Sequence, residues 1–198
     1  MPTEHEIERR FFTSPLEIRA KGDDGKMPKK VGGYAARFGS VYDLGWFTEE
    51  IAPGAFDGAD MSDVVGLFNH DSNQILGRNT AGTLRLSIDS EGLGYEIDLP
   101  DSPNGHNVGV AVERGDITQS SWGFSIEEDE WRTVGGKDHR TIKKIKRVYD
   151  VSPVTFPANP DTTVAKRSRD SRPDDETEIF KLTRSRFLEV ACMVSNTQ

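Results

Sequence analysis

"TLRLSIDSEGLGYEIDL", residues 83–99, alternates apolar and polar positions on both sides of a turn. Leu84, Leu86 and Ile88 share one face of the first half, and Leu93, Tyr95, Ile97 and Leu99 share one face of the second. A period of two is the strand period, and Ser90-Glu91-Gly92 supplies hairpin chemistry between the halves. The pattern continues outward. Val31–Phe38, Val64–His70, Trp122–Trp131 and Ile142–Phe156 all read as strands. Residues 21–30, polar and rich in turn formers, read as a loop between two strands.

One segment breaks the pattern. Asp101-Ser102-Pro103 precedes Asn104–Arg114, and Gly115 follows. An N-cap hydroxyl or carboxylate, an early proline and a terminal glycine punctuate a helix. Val108, Val112 and Val110 are candidates for its inner face, and a second short helix is expected near Ala52–Gly58. Many evenly spaced strands with few helices predict a mainly β, α+β domain: a closed or nearly closed β-barrel surrounded by helices.

The chain has 198 residues, enough for one domain and its tails, with a formal charge of -8 and a mean hydropathy of -0.60. That charge opposes chain-wide attraction to nucleic acid or to an anionic membrane. No apolar run is long enough to span a bilayer, and the first ten residues lack the pattern of a signal peptide. The expected compartment is the cytosol. The single cysteine, Cys192, excludes an internal disulfide and a cysteine-based zinc site. Residues 166–176 are nearly all charged and read as a linker; a weak amphipathic pattern follows in 177–198.

"GDITQSSWGFSIEEDEW", residues 115–131, sets two hydroxyls, Ser120 and Ser121, at the start of an apolar strand. They are either polar fillers or they include a nucleophile, which needs a base and a group to orient that base. Of the four histidines, His5, His106 and His139 read as solvated surface residues. His70 stands at the exit of the apolar run Val64–Phe68, where it is either a held base or a residue bonded to a loop. Asp150, among Val148, Tyr149 and Val151, is the best orienting carboxylate, because an acid in apolar company requires a partner. No nucleophile elbow, zinc-protease motif, phosphate loop or dinucleotide fingerprint is present, and Asp57, Asp60 and Asp63 lack the spacing of a calcium loop. The reading calls for no cofactor and no metal.

Five motifs stand in order: "GYAARFGS" (33–40), "EEIAPGAF" (49–56), "LFNHDSNQILGRNTAGTLRLS" (67–87), "GDITQSSWGFSIEEDEW" (115–131) and "VYDVSPVTFPANPDTTVA" (148–165). Together they resemble the prohead maturation proteases of tailed bacteriophages, distantly similar to the herpesvirus assemblins. The resemblance implies a serine endopeptidase with a protease domain over 1–165, its motif-bearing core over 31–165. It implies His70 of "NHD" as general base and Ser121, next to the aromatic-Gly-Phe triplet, as nucleophile. Asp150 stands where the family usually has Glu, one methylene longer; His139 is the second choice for third member, by analogy with assemblins. Backbone N–H groups and Arg78 are the expected oxyanion donors. The implied substrates are the scaffold or delta segment of the capsid protein and the protease's own tails, the 166–176 linker among them. The implied location is the host cytoplasm, inside the prohead. A homo-oligomer is left open, and neither membrane nor nucleic-acid binding is expected. The competing reading is a capsid-assembly or scaffold module that keeps the barrel without catalysis.

Overall fold

A computed structural model of the chain describes residues 7–12, 16–21 and 28–156. His5, Cys192, the charged linker and the tail pattern lie outside them. Eleven strands and one α-helix follow in order. They are β1 (Glu8–Phe12), β2 (Glu17–Lys21), β3 (Pro28–Arg37), β4 (Tyr42–Asp43), β5 (Phe47–Ile51) and β6 (Val65–Phe68). After these come β7 (Asp71–Arg78), β8 (Leu84–Ile88), β9 (Gly92–Asp98), α1 (Pro103–Arg114), β10 (Gln119–Val134) and β11 (Lys137–Val154).

The strands form two sheets. The four-stranded sheet has the order β2-β3-β9-β8. It contains the hairpin that residues 83–99 predict, with Leu86 opposite Tyr95. Leu93, Tyr95 and Ile97 are buried as expected, whereas the face of β8 frays outward to an exposed Ile88. The seven-stranded sheet runs β1-β10-β11-β5-β4, and β6 and β7 join it through β11. β11 holds two parallel partners in succession. β5 lies beside its beginning, Asp138–Ile142, and β6 beside its end, Asp150–Val151.

The core lies between the sheets. Val31, Ala35, Leu93 and Ile97 from one meet Ile51, Trp122, Phe124, Ile145 and Val151 from the other. Each buried side chain of this size contributes about 1.5–3 kcal/mol by leaving water. The helix follows its punctuation closely. Ser102 Oγ accepts from the N–H of Gly105, Pro103 opens the first turn and Gly115 closes the last. Val108 and Val112 are buried, but Val110 points outward. Ala52–Gly58 is a run of turns rather than a second helix. Gly54 and Gly58 both adopt φ near +80° (81° and 82°), which a right-handed helix cannot use.

The closed barrel surrounded by helices is not found among the described residues; the mainly β class stands. The long hairpin does curl. Register shifts interrupt the β10–β11 ladder between Gly123/Phe124, Ser125/Ile126, Ile126/Glu128 and Glu128/Asp129, and bulges bend and twist a strand. Arg10 stands opposite Trp122, which pairs with Val151, while Glu49 stands opposite Arg140. A straight ladder would separate those levels by roughly 35 Å. Instead Arg10 bonds both oxygens of Glu49, Nη2 to Oε2 at 2.8 Å. Arg140 joins Glu49 at 3.2 Å, Glu8 at 2.9 Å and Asp129 at 2.6 Å. Side-chain ion pairs thus bring β1 and β5 together where backbone pairing does not. Burial alone would lower the Arg10 pKa, but Glu49 and then Glu8 outweigh it and hold the pKa raised.

Candidate active site

Strand alternation separates the two serines. Ser120, Trp122 and Phe124 share the core face of β10. Trp122 and Phe124 stack with centroids 3.8 Å apart, and Phe56 lies 5.4 Å from Trp122. Ser120 Oγ is 2.8 Å from the Tyr95 hydroxyl, so it ties one sheet to the other. Burial pushes the Tyr95 hydroxyl well above its ordinary pKa, which keeps it a neutral O–H. Ser121 takes the opposite face of the strand, and both serines are fully buried.

His70 reaches Ser121 from the turn after β6. Asn69 and His70 are the non-glycine residues with positive φ among those described, at 54° and 58°. Asn and His are among the residue types that tolerate this left-handed conformation. Asn69 fixes it by clamping the end of β11. Its N–H donates to Pro153 O at 3.0 Å and its Nδ2 to Thr155 Oγ1 at 3.1 Å, and its Oδ1 accepts from the Thr155 N–H at 2.9 Å. The parallel β6–β11 pairing therefore delivers the imidazole to the end of β11 that carries Asp150.

The ring is held at both nitrogens. Nδ1 lies 2.5 Å from Asp150 Oδ1 and Nε2 lies 2.5 Å from Ser121 Oγ. With the proton on Nδ1, the ring donates to the carboxylate and Nε2 accepts from the serine hydroxyl. The His70 and Asp150 side chains are only 8% and 9% exposed, so these bonds act in a water-poor setting.

Cross-strand register gathers the rest. Gly123 stands opposite Asp150 and Ser121 opposite Ser152. A Cβ on Gly123 would lie 2.2 Å from Asp150 Oδ2, so the carboxylate occupies the space that any larger residue would fill. Ser152 donates from Oγ to Asp150 Oδ1 at 2.9 Å, and its Oγ is 3.4 Å from His70 Nδ1. The sequence reading missed Ser152. Its signal was present in "DVS", since two residues on from Asp150 along a strand lands on the same face.

The remaining candidates lie elsewhere. His139 is not a solvated surface residue: it is 6% exposed on β11, and its Nδ1 is 2.8 Å from Thr48 Oγ1. Its Nε2 is 3.3 Å from Glu50, so its neighbours are β5 residues rather than His70. The β10–β11 turn lies at Gly135-Gly136, three residues before His139. Arg78 binds Asp63 on the surface at 2.5 and 2.6 Å. His106 is exposed beside Asp101 at 2.9 Å. Asp60 accepts from Ser62, N–H and Oγ, within its own loop.

The family described as caudovirus prohead serine protease matches residues 14–191. No curated protein matches the sequence. Among solved structures, the bacteriophage T4 capsid assembly protease aligns with a TM-score of 0.42 at 8% identity, covering 74% of this chain and 97% of that one.

Proposed function

The chain belongs to the caudovirus prohead serine protease family, and from that premise we propose that Ser121 is its nucleophile, His70 its general base and Asp150 the acid that orients the base. The observation that carries this reading is the unbroken string Ser121 Oγ, His70 Nε2, His70 Nδ1, Asp150 Oδ1, with both links at 2.5 Å. Ser121 Oγ attacks a peptide carbonyl while Nε2 takes the hydroxyl proton. Asp150 holds the Nδ1 tautomer and stabilises the imidazolium that forms. The imidazolium then protonates the leaving amine, and water activated by the same ring hydrolyses the acyl-enzyme. Ser152 acts on this string through Asp150 and is a positioning residue. Its hydroxyl occupies a lone pair of the buried carboxylate, which leaves Oδ1 aimed at the imidazole.

The substrates under this reading are the scaffold or delta segment of the phage capsid protein and the enzyme's own tails, with the 166–176 linker as a self-cleavage segment. Processing takes place inside the prohead, and residues 1–165 form the protease domain. The test is co-expression of Ser121→Ala and Ser120→Ala variants with the cognate capsid protein. Ser121→Ala abolishes processing of both capsid protein and self. Ser120→Ala retains it, at a stability cost of about 1–3 kcal/mol for the unpaired Tyr95 hydroxyl. A Ser121→Ala variant that still processes removes Ser121 from the role. A wild type that processes nothing favours the scaffold module instead.

A further inference from the structure

Beside the His70 turn lies a cavity of about 460 Å³ between the start of β7 and α1. Its floor is apolar, built by Phe68, Val108 and Ile117, and carboxamides of Gln74, Asn104 and Asn107 stand among its walls. Asn69 and Asp71, the two neighbours of His70 in sequence, both line it. The left-handed turn clamped to Pro153 and Thr155 therefore fixes the cavity relative to the imidazole. Among the described residues no lysine, arginine or histidine lines it, and Asp71 is the one ionisable residue that does.

We propose that this cavity is the subsite that receives one substrate side chain next to the scissile bond, and that it selects an uncharged side chain over a carboxylate. The inference deepens the protease reading above and rests on it. An apolar floor with a few amide groups suits a side chain with an aliphatic body and a neutral polar end, such as glutamine, or an aliphatic one such as leucine. A glutamate there would leave water to face Asp71 and find no cation, a penalty that discriminates against the wrong substrate. The volume excludes neither large nor medium side chains; charge does the selecting.

The test uses the full chain and a quenched-peptide library built on the site that the wild type cleaves in its capsid protein, each position carrying Gln, Leu, Glu or Gly in turn. The wild type prefers Gln or Leu to Glu at one position by about tenfold or more. Asn107 is exposed on α1, outside the Ser121 string, so Asn107→Lys alters the cavity without replacing the proposed nucleophile, base or acid. It raises the Glu-to-Gln ratio of kcat/KM at that one position by about tenfold, through the new cation, and leaves the other positions unchanged. Asn107→Ala, which adds no charge, leaves the ratio as in the wild type. Labelling of Ser121 by a fluorophosphonate reports the nucleophile separately. If Ser121 labels and peptides are cleaved but Asn107→Lys changes no ratio, the cavity is not a substrate subsite and the protease reading stands. If neither labelling nor cleavage occurs in the wild type, both readings fall.

Discussion

The curled β10–β11 hairpin carries two buried polar clusters built to opposite plans. In one, Arg10 and Arg140 are surrounded by Glu8, Glu49 and Asp129. Every charge there has an opposite charge in contact, and burial of Arg140 is outweighed by Glu8 and Glu49, which hold its pKa raised. The cluster acts as a fixed brace between β1, β5 and the hairpin. In the other, one carboxylate meets one imidazole and two hydroxyls. Its atoms can exchange a proton along a line without separating charge from its partner. The same two strands supply stiffness in one place and transferable protons in the other. The difference lies in how many full charges each cluster contains.

The largest effect is expected from emptying the proton line. Ser121→Ala lowers peptide hydrolysis by at least about 10⁴-fold, to the level that binding alone supports, in a protein that still folds cooperatively. Activity assays paired with calorimetry check both halves. The opposite signature belongs to the brace. Glu49→Ala leaves two buried guanidinium groups short of an anion and costs about 3–5 kcal/mol, measured by urea unfolding. A Glu49→Ala protein as stable as the wild type would mean that the brace carries no net stability.

Between these extremes lie the residues that shape the site without reacting. Gly123→Ala puts a methyl group where Asp150 Oδ2 now sits, so the carboxylate must move and kcat/KM falls about 10²-fold. Restoration by a second change, Asp150→Gly, in stability but not in activity, would locate the clash. Ser152→Ala lowers kcat about tenfold with KM unchanged, because it frees Asp150 Oδ1 rather than removing a substrate contact. Ser152→Thr, which keeps the hydroxyl, recovers most of the rate. A Ser152→Ala enzyme with wild-type kcat and pH profile would leave the hydroxyl a purely structural role.

The smallest effect is on the surface of the other sheet. Arg85 bonds Glu96 and Asp98 and holds both carboxyls below their ordinary range. Carboxylates depressed in the folded state add stability that is complete above their unfolded pKa, about 4, and is lost as pH falls through the folded values. Arg85→Ala therefore lowers stability at pH 7 by no more than about 1 kcal/mol and flattens the loss below pH 4. Thermal melts across that range report it.

How much could be read from residues alone depended on range. The hairpin at 83–99, the capped helix and the strand exit at His70 are set by neighbours in sequence, and each was legible. Ser120 and Ser121 are equivalent to a local reading. They part because alternation turns them to opposite faces, where Tyr95, 25 residues away, meets Ser120 and His70, 51 residues away, meets Ser121. Ser152 gave the right spacing from Asp150, but nothing near it in sequence told of His70, which lies 82 residues away. His139 looked solvated because the chain around it is polar, while β5 covers it in the fold. The barrel was expected from strand count; closure depends on whether the last ladder pairs, and here bulges and ion pairs bend the sheet instead.

Gly123 has a meaning for lineage as well as for shape. Its missing side chain leaves the space that the carboxylate of Asp150 fills, so a side chain gained at 123 displaces that carboxylate. A relative that gains a side chain at the equivalent of position 123 must shorten or redirect its acid, and with it surrender the imidazole's anchor. Under the proposed roles, a relative that keeps the serine and histidine but has lost that glycine is expected to be a weaker protease.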